Sequence, residues 1–195
     1  LPASQLVQRL VWNRAQYAPQ THQGTFTLIA FVCDYDYPHL KALSDQPTWL
    51  KTFDLLQNWA LETSDYHIIL VNSKATAHNI IQLLAAAQAQ PAIHRIHFVL
   101  VTHGQLEDKH GVVLHDRQAG WEVVSGAGLF QLWSKTSPCP LQKLQVVMIH
   151  ACHSLDEYTQ FKERSVIGFF KNQAPHAMVI GYRGNVYLNA HFVLQ

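Results

Sequence analysis

The chain has 195 residues, enough for one domain with a sizeable core. Hydrophobic residues make up 48% of it and charged residues 14%, a balance that indicates a folded protein rather than a disordered one. The formal net charge of +1 predicts no nucleic-acid-binding surface, and no apolar run reaches the roughly 18 residues of a membrane span. We therefore expect a globular domain that binds neither nucleic acid nor a membrane.

The chain contains only three cysteines, and their spacing matches no paired-cysteine motif. Cys33, Cys139 and Cys152 are odd in number, so a disulfide framework is not expected and a reducing, cytoplasmic location is predicted. The first residues contain neither a methionine nor a signal-peptide pattern. We therefore expect a piece of a longer or processed protein, with a helix or linker in residues 1–24 and a folded domain in residues 25–195.

Apolar runs of strand length alternate along the chain with segments of helix length. The predicted strands are residues 25–33, residues 66–71, the run that ends at His103, the run that ends at Cys152, and residues 177–181. The predicted helices are residues 5–17, 45–61, 75–90, a short segment capped by Ser125, and 158–172. Residues 111–116 and 121–124 predict a β-hairpin, with its turn at residues 117–120.

This order predicts an α/β fold with a mostly parallel central sheet, because strands that alternate with helices form right-handed βαβ units. The strands are apolar along their whole length rather than at alternate positions. That pattern is typical of a sheet whose two faces are both covered by helices. We expect five core strands, helices on both faces, and the small hairpin after the strand that ends at His103.

Two of the predicted strands end in residues that can do chemistry. One ends at Cys152, which His150 and His153 flank, and the other ends 49 positions earlier at His103, directly before Gly104. Binding crevices form at the carboxyl ends of parallel strands. A thiol with its usual pKa of about 8.5 is mostly protonated at neutral pH, and a histidine can take its proton and pass it to a leaving amine. We predict Cys152 as nucleophile and His103 as base.

A thiol attack on a carbonyl also requires donors for the oxyanion that develops. The backbone N–H groups of Gly104 and Cys152 are the candidates, since glycine lets a substrate approach the backbone closely. Two other interpretations stay open. The chain could be an inactive interaction module, or a metal-binding domain, because His103, His150, Cys152 and His153 are acceptable zinc ligands. Paired ligand spacings such as Cys-x₂-Cys are absent from the sequence.

Five blocks of the sequence resemble the caspase-like (clan CD) cysteine peptidases, with the closest likeness to bacterial CHAT-type proteases and some metacaspase-like features. Residues 99–104 resemble the family's apolar-then-His-Gly block, and residues 146–154 resemble its nucleophile block. Residues 111–114 resemble the hairpin between them. Residues 75–80 resemble a helix opening of caspases and metacaspases, and residues 177–181 resemble the CHAT strand after the nucleophile. A histidine about 50 residues before the cysteine is itself known for caspases.

The resemblance implies a three-layer caspase-like fold and an endopeptidase that needs no cofactor or metal. It implies the same roles for Cys152, His103 and Gly104, a protein or peptide substrate, and possible control by a regulatory domain or partner chain in a bacterial defence or signalling system. Two departures leave the specificity open. Metacaspases usually carry aspartate at the position of His150, and caspases follow their Ala-Cys with Arg-Gly where this chain has His153 and Ser154.

The sequence offers four candidates for residues that line the substrate groove. By resemblance, Tyr182 and Arg183 border the substrate groove, and Arg183 is a candidate partner for an acidic substrate side chain. Asp34 and Asp36, which follow the first strand, are candidates for holding a basic one. His150 is expected to point away from the nucleophile into the packing of the sheet, because alternate residues of a strand face opposite sides.

Overall fold

The computed structural model describes residues 24–33, 49–105, 110–116, 120–137 and 139–185. The predicted helix at residues 5–17 lies outside these ranges. So do Asp34 and Asp36, the two acidic candidates for the substrate-binding wall. In the described part of the chain, no helix is long and apolar enough to cross a bilayer.

Five strands form the central sheet, and every pair of neighbours is parallel. In their order across the sheet these strands are β2 (Tyr66–Val71), β1 (Thr25–Phe31), β3 (Arg95–Val101), β7 (Leu144–His150) and β8 (Met178–Ile180). A second sheet contains β4 (Gly104–Gln105), β5 (Gly111–Asp116) and β6 (Gly120–Val124), paired antiparallel. The predicted α/β fold with five core strands and a hairpin is confirmed. The two-residue strand β4 was not predicted.

The described helices are α1 (Trp49–Thr63), α2 (Ala77–Ala89), α3 (Gly126–Thr136), α4 (Ser154–Phe161) and α5 (Val166–Gln173). Leu56 and Ala60 of α1 pack with Phe31, Val99 and Met148 on one face of the sheet. Helices α2, α3 and α5 contribute to a larger cluster on the other face. Helices therefore cover both faces, which explains why the central strands are mostly apolar rather than apolar only at alternate positions.

Side-chain caps fix where two of the helices begin. The hydroxyl of Thr76 accepts a hydrogen bond from the N–H of Asn79 (3.1 Å), so α2 begins at Ala77 rather than at the predicted residue 75. The hydroxyl of Ser125 accepts one from the N–H of Gly128 (3.2 Å), which confirms the predicted cap of α3. Both caps satisfy N–H groups that have no acceptor inside the helix.

The single helix predicted at residues 158–172 is wrong. A 3₁₀ turn (Lys162–Arg164) separates α4 from α5, and Lys162 has a positive φ of 50°. The hydroxyl of Ser165 then accepts a hydrogen bond from the N–H of Gly168 (2.9 Å) and starts a new helix. In the sequence, Ser165 three residues before Gly168 is the feature that indicates this break.

Glu157 on α4 is buried, and its Oε1 atom makes no hydrogen bond with any described residue. Burial raises the pKa of its carboxyl from 4.5 to about 7. Between these values the folded chain holds a proton that the unfolded chain has released, so the free energy of unfolding falls as the pH rises through this window. We expect Glu157→Gln to raise the melting temperature by a few degrees at pH 8 and much less at pH 5.

Melting curves from pH 5 to pH 8 check this expectation, with Glu163→Gln as the control because Glu163 is an exposed acid of the same segment. If the melting temperatures of wild type and Glu157→Gln changed with pH in the same way, the Glu157 carboxyl would not have the raised pKa that its burial is expected to cause.

Candidate functional site

The register of the central sheet brings the two predicted strand ends together. Strands β3 and β7 are neighbours, with Val101 opposite His150, and the N–H of Thr102 donates to the carbonyl of His150 (3.1 Å). His103 and Cys152 each follow two residues after that pair. They therefore leave adjacent parallel strands at the same level of the same edge, where crevices form in α/β sheets.

Gly104 touches the backbone of Cys152 directly. A methyl group placed on the Gly104 Cα would lie 3.2 Å from the nitrogen of Cys152 and 3.1 Å from its carbonyl carbon, and it would overlap the carbonyl oxygen. Only a residue without a Cβ fits this approach. The glycine after His103 is thus required by the proximity of the two strand ends, a role different from the substrate access predicted from the sequence.

The pairing of β4 with β5 orients the N–H of Gly104. The N–H of Val113 donates to the carbonyl of His103 (2.9 Å), and Gly104 lies opposite Val112 as the next pair of the ladder. Hydrogen-bonded and non-hydrogen-bonded pairs alternate in antiparallel ladders, so Gly104 and Val112 are a non-hydrogen-bonded pair. The N–H of Gly104 consequently points away from β5.

His103 and Cys152 are both half-buried, and none of the three cysteines forms a disulfide. Burial lowers the pKa of His103 below its usual value of 6.5. The ring is therefore neutral at neutral pH, which is the form that accepts a proton from a thiol. Cys33 is buried and its thiol lies 3.2 Å from the side-chain oxygen of Asn72, whereas Cys139 is exposed.

The two histidines that flank Cys152 have other surroundings. His150 is only 4% exposed, and its ring meets that of Tyr182 edge to face at 4.9 Å. Burial lowers the pKa of His150 to about 4, which makes it a weak base. Its burial agrees with the prediction that it points into the packing.

His153 is held at both ring nitrogens. Its Nδ1 lies 2.9 Å from a carboxylate oxygen of Asp156, and its Nε2 lies 3.0 Å from the side-chain oxygen of Asn185. The residue also has a positive φ of 56°, an unfavourable backbone conformation for a residue with a side chain. Of the three histidines near the cysteine, His103 thus remains the best candidate for the base.

The segment after β8 is attached to the turn that carries Cys152. The N–H of Leu155 donates to the carbonyl of Tyr182 (2.9 Å), the N–H of Tyr182 donates to the Ser154 hydroxyl (3.0 Å), and the N–H of His153 donates to the carbonyl of Gly184 (2.7 Å). Tyr182 and the exposed Arg183 therefore lie beside the turn that carries Cys152. That they border a substrate groove stays a prediction.

No protein-family model matches the sequence, and no curated protein is significantly similar to it. Among the described residues, no group of three or more histidine, cysteine, aspartate or glutamate side chains is arranged to hold a metal ion. The chemistry open to the site is therefore inferred from its own residues.

Asp156 joins the turn that carries Cys152 to the segment after β8 and was not singled out from the sequence. One of its carboxylate oxygens accepts hydrogen bonds from the N–H of Gly184 (2.8 Å) and from His153. The bond from Gly184 and then that from His153 hold the pKa of this carboxyl below its usual value. The stabilisation that the Asp156 carboxylate gives this attachment is thus fully present above the ordinary pKa of an aspartate and is lost as the pH falls through the lowered one.

Replacing Asp156 with asparagine removes this charge, and we expect the segment after β8 to detach more often from the turn that carries Cys152. Hydrogen exchange of the Gly184 amide should become several-fold faster at neutral pH, since the amide loses a charged acceptor. Glu163→Gln serves as the control. An unchanged exchange rate at Gly184 would contradict a holding role for Asp156.

Proposed function

We propose that this chain is a cysteine endopeptidase of the caspase-like kind, with Cys152 as nucleophile and His103 as base. The observation that carries the proposal is the contact of Gly104 with the Cys152 backbone, because it fixes His103 and Cys152 as neighbours on one edge of the sheet. The family resemblance of the sequence blocks adds the peptide substrate, the caspase-like fold and a role as a regulated bacterial effector in a reducing cytoplasm.

The reaction follows from these positions. His103 takes the thiol proton, and the Cys152 sulfur attacks the carbonyl carbon of the scissile peptide bond. The N–H of Gly104 donates to the oxyanion that forms, together with the N–H of Cys152. The C–N bond then breaks, and His103 returns the proton to the leaving amine. Water, deprotonated by the same histidine, hydrolyses the thioester and releases the second product.

The residue preferred before the scissile bond is not fixed by this mechanism. Arg183 is exposed beside the nucleophile turn and would suit an acidic side chain, whereas the acidic candidates Asp34 and Asp36 would suit a basic one. Cleavage of an unbiased peptide library by the wild-type chain decides both the activity and this preference. Cleavage that is absent, or that persists when Cys152 is replaced by alanine, would refute the proposal.

A further inference from the structure

Thr102, the residue before His103, lies between the central sheet and the hairpin. Phe98 and Leu100 of β3 belong to the larger hydrophobic cluster, and Thr102 continues that alternation at the end of the strand. Val113 of β5 belongs to the same cluster. Thr102 is only 5% exposed, so its hydroxyl lies in largely apolar surroundings and requires a hydrogen-bond partner.

The partner of this hydroxyl is the backbone of the hairpin. The Thr102 hydroxyl donates to the carbonyl of Val113 (2.5 Å), and the N–H of Val113 donates to the carbonyl of His103 (2.9 Å). Val113 therefore binds two consecutive residues of the strand end. A single hydrogen bond leaves the chain free to rotate about it, whereas two bonds at neighbouring residues restrict that rotation. The backbone from which the His103 side chain starts is thus fixed against β5.

Thr102 is also attached to the strand that leads to Cys152. Its N–H donates to the carbonyl of His150 (3.1 Å), two residues before the cysteine. One residue thus binds β7 through its backbone and β5 through its side chain. Thr102 sets the position of the His103 backbone relative to both elements.

Few other backbone bonds hold this part of the hairpin. Strand β4 (Gly104–Gln105) has two residues, and its ladder with β5 contains two residue pairs. The hydrogen bond from Thr102 extends this short ladder by one further attachment, directly before His103. Accuracy matters at this place, because a displacement of about 1 Å at a catalytic site costs about 10²-fold in rate.

We infer that Thr102 is a positioning residue, whose hydroxyl holds His103 in the place from which it takes the thiol proton of Cys152. Thr102 acts through His103 and takes no part in the making or breaking of bonds. This inference rests on the proposed function, because that function assigns the thiol proton to His103.

The test is the alkylation rate of Cys152 at pH 7 in the full chain, with Cys139 as the internal reference. Thr102→Ala and Thr102→Ser both lose the methyl group of threonine and differ from each other only in the hydroxyl. In Thr102→Ala we expect Cys152 to react at least about fivefold more slowly, because a displaced base takes the thiol proton less effectively. In Thr102→Ser the rate should stay within about twofold of wild type, since the hydrogen bond to Val113 is kept.

The sign of the change separates positioning from a merely structural role. Cys152 is half-buried, so simple loosening of the strand ends would expose its thiol and speed the alkylation. A faster or unchanged rate in Thr102→Ala would overturn the inference. Thr102→Val keeps the side-chain volume and leaves no room for a water in place of the hydroxyl, and it should slow the reaction as well. If Thr102→Val does not fold, the alanine and serine variants decide alone.

The matched control is Thr27→Val. Thr27 is a buried threonine of β1 in the same sheet, and its hydroxyl makes no hydrogen bond with any described residue. This substitution should leave the Cys152 rate unchanged. Hydrogen exchange at the Val113 amide should become several-fold faster in Thr102→Ala but not in Thr102→Ser or Thr27→Val, because that amide loses its neighbouring attachment. Unchanged exchange at Val113 in Thr102→Ala would also overturn the inference.

Cleavage kinetics on the peptide that the wild-type chain cuts best separate this inference from the proposed function. Thr102→Ala should lower kcat at least about fivefold and leave KM within about twofold, since Thr102 acts through the base. Cys152-dependent cleavage with a wild-type kcat in Thr102→Ala, or with a change in KM alone, overturns the role of Thr102 and leaves the peptidase. Absence of Cys152-dependent cleavage in the wild-type chain refutes the peptidase, and the alkylation rates then still decide whether Thr102 positions His103.

Discussion

A Cys152→Ala variant is expected to lose peptide cleavage by at least about 10³-fold, because the sulfur of the proposed covalent intermediate is gone. The variant should fold normally, since Cys152 is half-buried and forms no disulfide. Cleavage rates on the peptide that the wild-type chain cuts best provide the measurement, with melting temperatures recorded in parallel.

The matched control is Cys139→Ala. Cys139 is exposed and follows α3, so its removal should leave the rate unchanged. If Cys152→Ala kept its activity, or if both variants lost it equally, the nucleophile would have to be sought elsewhere.

A Gly104→Ala variant is expected to cleave more slowly and to be destabilised, because its methyl group would overlap the Cys152 carbonyl and push the two strand ends apart. Overpacking of this kind costs roughly 1–3 kcal/mol in the free energy of unfolding, and a displacement of about 1 Å at a catalytic site costs about 10²-fold in rate. Urea denaturation and cleavage rates measure the two effects separately.

The control for this variant is Gly128→Ala. A methyl group there meets its nearest neighbours at 3.8 Å, an ordinary contact, and lies in the first turn of α3. Alanine favours a helix more than glycine does, so Gly128→Ala should be neutral or slightly stabilising. A Gly104→Ala variant with wild-type activity would contradict the close approach of His103–Gly104 to Cys152.

The order of strands and helices could be predicted from the sequence because each central strand is a continuous apolar run of strand length. Parallel strands end at the same edge of a sheet, which is why His103 and Cys152 could be placed together in advance. The exact register of β3 with β7, which shifts between Ile96 and His97, could not be predicted. Element boundaries were less predictable. The break between α4 and α5 depends on the positive φ of Lys162 and on the helix cap at Ser165. The apolar pattern of a helix continues across both residues, so it gives no sign of the break.

The surroundings of the candidate nucleophile were harder to predict than the pair itself. His153 and Asp156 bind Gly184 and Asn185, about 30 positions later in the chain. Periodicity carries no information on side-chain hydrogen bonds between such distant segments. From the sequence, His103 was already the predicted base and His150 was expected to point into the packing of the sheet, whereas the two hydrogen bonds that hold the His153 ring could not be predicted.

The most direct test of an activated thiol is the alkylation rate of each cysteine, followed residue by residue by mass spectrometry at pH 7. Exposure alone predicts that Cys139 reacts fastest, since Cys152 is half-buried and Cys33 is buried. Activation by His103 predicts instead that Cys152 reacts faster than Cys139, and that His103→Ala removes this advantage without changing the rate at Cys139. A Cys152 rate no higher than that of Cys139, or one that His103→Ala leaves unchanged, would contradict the pairing of Cys152 with His103.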